Sequence, residues 1–118
     1  MDNKRKAPRI PVISMARITP HGLQTSNEAL VRDICTHGMG VYVKSPYQKG
    51  DALLIKIALQ TDEKELINET LMGRVAWVTP FQGEYKYAAG IEFHEMEKKN
   101  PKLYAYIKHL EEIGSHTH

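Results

Sequence analysis

Two arginines, Arg5 and Arg9, stand with three residues between them in a basic N-terminal run, Lys4-Arg5-Lys6-Ala7-Pro8-Arg9. A guanidinium is a planar fork that donates two parallel, charge-assisted hydrogen bonds, a geometry matched to phosphate oxygens and to the O6/N7 edge of guanine. A second cluster, Asp33-Ile34-Cys35-Thr36-His37-Gly38, supplies the opposite chemistry. The Asp33 carboxylate can accept from N–H groups, such as those on the Watson–Crick edge of guanine. Gly38 leaves room for a close approach of backbone, and His37 in the same loop is placed to contact a phosphate. Either feature alone is weak, because a basic pair is usually a solvated tail and a lone strand aspartate usually faces water.

The elements that must position these residues follow from the hydrophobic period. Residues 1–11 hold two prolines, four cations and almost no apolar surface, and are expected to form a flexible basic arm. From Val12 the chain alternates, giving a first strand that ends at the turn Pro20-His21-Gly22. A second strand is expected over Glu28 to Cys35, with Asp33 and Cys35 on one face and Leu30, Arg32 and Ile34 on the other. A third runs from Met39 to Lys44, with Gly38 and Gly40 marking a tight reversal or bulge. Leu53, Ile55, Ile57 and Leu59 define the clearest strand, Thr61 to Glu65 a loop, and 71–79 and 85–93 two more strands around a turn at Phe81-Gln82-Gly83. Six short strands at this spacing predict a barrel or sandwich. The period then lengthens: Asn100 as N-cap, Pro101 at the first helical position and Leu103, Tyr106, Ile107, Leu110 and Ile113 predict one amphipathic helix before Gly114.

Composition bounds the function. The chain has 118 residues, 42% hydrophobic and 25% charged, so it reads as a single globular domain over 12–114, followed by a disordered tail over 115–118. The formal net charge of +2 is too small for a general nucleic-acid binder, and the positive charge is concentrated in the arm. A single cysteine, no apolar run of signal-peptide or membrane-spanning length and no disulfide framework point to the cytoplasm without membrane insertion. No nucleophile stands with a base and an orienting group, so no catalytic site is expected. The six histidines lack partners at zinc spacing, so no metal site is expected either. Trp77, Tyr85, Tyr87, Tyr104 and Tyr106 read as core and rim residues in preference to a base-stacking platform.

R-x-x-x-R followed by D-x-C-x-x-G resembles the PilZ family, whose pattern is R-x-x-x-R and then D/N-x-S-x-x-G. Gly50-Asp51, Gly73-Arg74-Val75-Ala76-Trp77-Val78 and Ala89-Gly90-Ile91-Glu92-Phe93 are similar to the later strands of that family and occur in the same order. Cys35 departs from the pattern, standing where the family usually has serine. The resemblance implies a mainly β fold, a six-stranded antiparallel barrel with one C-terminal α-helix. It also implies a non-catalytic receptor for cyclic di-GMP, with no further cofactor, that changes shape and regulates a protein partner the sequence does not identify.

On that resemblance the ligand is held by Lys4, Arg5, Arg9, Asp33, Cys35, His37 and Gly38. The arginines clamp it from the arm, Asp33 accepts from guanine, and Cys35 takes the place of a serine that bonds the base or its linkage. Lys4, just before R-x-x-x-R, is the position that bears on whether one ligand or a stacked pair is bound; a cation there offsets the phosphate charge of a pair. Two other readings remain open. One is a PilZ-like adaptor that works without ligand in pilus or flagellar control, and the other is a small barrel that binds nucleic acid through its arm.

Overall fold

The structure, a computed structural model, describes residues 10–61 and 63–115, with side chains over 14–61 and 63–113. Six strands, β1 (Ile10–Pro20), β2 (Asn27–Ile34), β3 (Gly38–Val43), β4 (Ala52–Gln60), β5 (Leu66–Pro80) and β6 (Tyr87–Phe93), precede two helices, α1 (Met96–Lys99) and α2 (Pro101–Ser115). The strands close into an antiparallel barrel in the order β1-β2-β3-β6-β5-β4, with β4 pairing back onto β1. Closure removes the edge strands that would otherwise offer unpaired backbone to other chains.

Alternation fills the barrel. Ala16 and Ile18, Ala29 and Val31, Met39, Val41 and Val43, and Leu53, Ile55, Ile57 and Leu59 are all buried inside it. Along β4 the residues between them, Leu54, Lys56, Ala58 and Gln60, are exposed, as the period of two requires. Met96, Leu103 and Ile107 join the same core, so the helices close one end of the barrel. Truncating Leu103 or Ile107 to alanine would remove ~2–5 kcal/mol of packing.

The sequence-based bounds are revised in several places. β1 begins at Ile10, inside the stretch read as an arm over 1–11, with Ile10 and Pro11 pairing to Ile34 and Asp33. Two prolines in that stretch concealed a strand start, where a missing N–H is tolerated. β5 begins at Leu66, ahead of the expected start at residue 71; its alternation there rests on Ile67 alone before Leu71. α1 was not expected. Its N-cap, Glu95, has φ 55°, and Asn100 sits at its C-cap. Asn100 also begins α2, since its carbonyl accepts the Tyr104 N–H at 2.9 Å. Its buried side-chain amide donates to Glu69 Oε1 at 2.7 Å and to the Thr70 carbonyl at 3.0 Å, tying the start of α2 to β5. The helix continues through Gly114 to Ser115, past the expected stop.

Candidate functional site

Three register shifts place an extra residue in a strand at one level of the barrel. They lie between Pro11 and Ser14 in β1, Val31 and Asp33 in β2, and Val75 and Trp77 in β5. A bulge inverts the phase of a strand, because one added residue exchanges its two faces. In β2 the consequence is that Val31 and Ile34 are both buried while Arg32 is exposed between them, so the expected grouping of Ile34 with Leu30 and Arg32 is wrong. In β5 the shift turns Trp77 outward and leaves Val78 packed on the core, where unbroken alternation from Leu71, Gly73 and Val75 would have buried Trp77.

The bulges converge on one cross-strand row. Asp33 pairs with Gly40, Gly40 with Gly90, and Gly90 with Trp77; on the other side Pro11 pairs with Asp33. The row lies on the outer face, since its neighbours Val41 and Ala89 on one side and Met39 and Ile91 on the other fill the core. Two adjacent glycines on this face leave room for neighbouring side chains to lie over them: both are buried, with the Arg32 guanidinium against Gly40 and the Trp77 indole against Gly90. The indole of Trp77 lies so close over Gly90 that a Cβ there would overlap its Nε1 and neighbouring ring atoms, yet Trp77 is 39% exposed.

Asp33 is 16% exposed and is oriented by bonds to both oxygens: Oδ1 accepts the Gly40 N–H at 3.1 Å, and Oδ2 accepts Arg32 Nε–H at 3.0 Å. The Arg32 guanidinium lies 5.8 Å from the centre of the Tyr42 ring, which in turn packs on Phe81 with centroids 4.5 Å apart. Partial burial would lower the pKa of Arg32, but hydrogen bonds to Tyr42 and Asp33 outweigh it and hold the guanidinium above its usual value. A permanently charged cation, a carboxylate, two glycines and three aromatic rings thus share one patch, a chemistry suited to a planar, hydrogen-bonding, anionic ligand.

The rest of the D-x-C-x-x-G segment forms a tight loop after β2. Cys35 is buried at 6% exposure; its N–H donates to the Gly38 carbonyl at 2.8 Å and its Sγ accepts the His37 N–H at 3.4 Å. His37 is exposed, with Nδ1 3.4 Å from Thr36 Oγ1. What lies against Gly38 is the Ile91 carbonyl of β6, so this glycine is required by strand packing. Lys4, Arg5 and Arg9 lie outside the described residues, so the seven sequence-derived positions are represented here by Asp33, Cys35, His37 and Gly38.

Sequence reasoning missed Arg32, Tyr42, Trp77 and Gly90 as members of the patch. Gly40 was noticed as a bulge marker; the signal for the others was the glycine in each of two strands, facing bulky residues that a strict period assigns elsewhere. Among the described residues no group of three His, Cys, Asp or Glu side chains gathers as for a metal ion, and no helix is long and apolar enough to cross a membrane.

Residues 3–109 match the PilZ domain family. Among solved structures, the inhibitor of motility MotI/DgrA of Bacillus subtilis is similar with a TM-score of 0.76 and 16% identity, over 97% of this chain and 53% of that one. The PilZ domain of CeSA from a cellulose-synthesizing bacterium has a TM-score of 0.59 and 14% identity, over 93% of this chain and all of that one. The PilZ domain of YcgR from Escherichia coli, solved with c-di-GMP, has a TM-score of 0.60 and 11% identity, over 98% of this chain and all of that one. The chain therefore spans about half of the MotI/DgrA structure, and identities this low make the likeness one of fold. Comparison with curated proteins gave no match. PilZ domains are non-catalytic. The match over residues 3–109, with the same barrel recurring in these structures, establishes that the chain belongs to the PilZ domain family.

Proposed function

We propose that the protein is a cyclic di-GMP receptor that binds the dinucleotide across the Asp33–Gly40–Gly90–Trp77 row and regulates a protein partner through the change in shape. The observation that carries this reading is the row itself. A guanine brought to Asp33 presents N1–H and N2–H to the carboxylate at one side and can stack its ring on the exposed face of the indole that covers Gly90, and the row provides both groups within one sheet level.

Arg5 and Arg9, with Lys4 before them, supply the phosphate and O6/N7 contacts in this reading. Pro11, two residues after Arg9 in the chain, pairs with Asp33, so the basic run leads into the barrel beside the row. A cation at Lys4 favours a stacked pair of ligands, since two dinucleotides bring four phosphate charges into one site. The E. coli YcgR domain with c-di-GMP shares this fold and supports the ligand class; the partner and the process controlled, with motility suggested by the likeness to MotI/DgrA, belong to the proposal. A cytoplasmic setting suits such a receptor.

Isothermal titration with cyclic di-GMP tests the reading. Saturable binding is expected in wild type, two ligands per chain if a pair is bound, with loss of tenfold or more in affinity for Arg5→Ala, Arg9→Ala and Asp33→Ala. Each removes hydrogen bonds to a charged group worth ~1.5–3 kcal/mol. Absence of binding in wild type, or three unchanged titrations, would reject it.

A further inference from the structure

Arg32 is the extra residue of the β2 bulge, and its side chain does not project freely into solvent. The guanidinium lies across the glycine floor, where a Cβ added to Gly40 would meet Arg32 Nη2 at 2.7 Å and Cζ at 3.2 Å. Its Nε–H donates to Asp33 Oδ2 at 3.0 Å, and Tyr42 holds it from the other side with the ring centre 5.8 Å away. The carboxylate assigned to guanine therefore already has a donor, and the floor beside it already has a cover.

The chemistry of that cover matters. The N1–C2–N2–N3 portion of guanine is itself a guanidine, planar and carrying N–H groups aimed in parallel from N1 and N2. The Arg32 guanidinium, through its Nε–H on Oδ2, and the Watson–Crick edge of guanine thus compete for the same acceptor. We infer that Arg32 is an internal occupant of the guanine subsite, a gate that holds Asp33 in the empty site and must leave both Asp33 and Gly40 before a base can enter. The inference rests on the receptor reading above and concerns how that site is regulated. Arg32 sets the affinity downward, because a base must first displace the donor already on Asp33 Oδ2 before the carboxylate can accept its N–H groups. It also keeps the carboxylate oriented while no ligand is present. Displacement is available at low strain, since the Arg32 side chain is 39% exposed and is a long, unbranched arm.

The opposite role is equally concrete: Arg32 could serve as a further phosphate-binding cation. The two roles predict opposite signs. Cyclic di-GMP is titrated into wild type, Arg32→Ala and Arg32→Gln under the same moderate salt, with a urea denaturation curve for each to confirm an intact fold. As a gate, Arg32→Ala binds about three- to tenfold more tightly than wild type, with Arg32→Gln between them, as expected for removing one charge-assisted contact of a half-exposed pair. Binding that is equal or weaker in Arg32→Ala, while wild type binds, overturns the gate and leaves the receptor reading intact. Binding by Arg32→Ala alone supports the gate in its strongest form. Binding by none of the three removes the receptor reading and the gate with it.

Discussion

Glu111 of α2, 5% exposed, accepts the backbone N–H of Thr36 on its Oε2 at 3.0 Å. The bond joins the C-terminal helix to the loop of the D-x-C-x-x-G motif across 75 residues of sequence. A ligand seated against Asp33 and that loop therefore shares a mechanical connection with α2, the element that closes the barrel end. Glu111→Ala leaves a backbone donor without its acceptor and is expected to destabilise the protein by ~1–3 kcal/mol; Glu111→Gln, which keeps an acceptor oxygen, should lose less. Urea denaturation checks the stability, and amide exchange at Thr36 should speed up in Glu111→Ala. An unchanged Thr36 rate would mean that the loop is held without the helix.

Gly90→Ala tests the floor of the row. A methyl at this position falls on the indole of Trp77, so the ring must swing away or the strands must separate. Overpacking of this kind costs about 1–3 kcal/mol, and the low end applies if the half-exposed ring moves freely. A shift of tryptophan emission together with weaker cyclic di-GMP binding is the expected outcome. Stability and emission both equal to wild type would show that the ring does not rest on Gly90 in solution.

The barrel was legible in the sequence because its strands alternate cleanly over most of their length: Leu53 to Leu59 in β4 and Met39 to Val43 in β3 declare their core faces without help. The helix was legible from its longer period and its proline. The row was not. Asp33 and Trp77 are neighbours of the same glycine floor only because two single-residue bulges, at Arg32 and Ala76, reset the phase of their strands. A period-two reading has no access to an inserted residue and places Ile34 and Trp77 on the wrong faces. Glu111 was equally silent, since a glutamate on a helix with an apolar stripe looks solvated until the loop it caps is known. Gly38 illustrates a further limit: its smallness was visible, but the Ile91 carbonyl that demands it belongs to a strand more than fifty residues away in sequence.

Cys35 marks where the chain departs from the serine of the family pattern. The thiol is buried, and its sulfur accepts the His37 N–H at 3.4 Å, a long bond from a weak acceptor. Cys35→Ser should hold the loop at least as well and preserve or tighten cyclic di-GMP binding by about 0.5–1.5 kcal/mol if one neutral hydrogen bond is regained. Iodoacetamide should react slowly with the free protein because of burial alone, so slow alkylation does not report the ligand; the affinity of Cys35→Ser does. Weaker binding by the serine variant would show that the sulfur contributes by packing.

Trp77 offers the most direct reading of where a ligand sits, because it is the single tryptophan of the chain and stands at the end of the row. A base brought to Asp33 must approach the indole that covers Gly90, so titration with cyclic di-GMP should change tryptophan emission in a saturable way, with the midpoint found by calorimetry. Stacking on an aromatic side chain contributes ~1–3 kcal/mol per base, and Trp77→Ala should weaken binding by roughly tenfold or more. Trp77→Phe, which keeps a ring, should recover part of that loss. The fold should survive either change, since the ring lies outside the barrel and truncation opens no cavity in the core. Emission that stays constant at saturating ligand, with full affinity in Trp77→Ala, would move the dinucleotide off the row and towards the loop of His37.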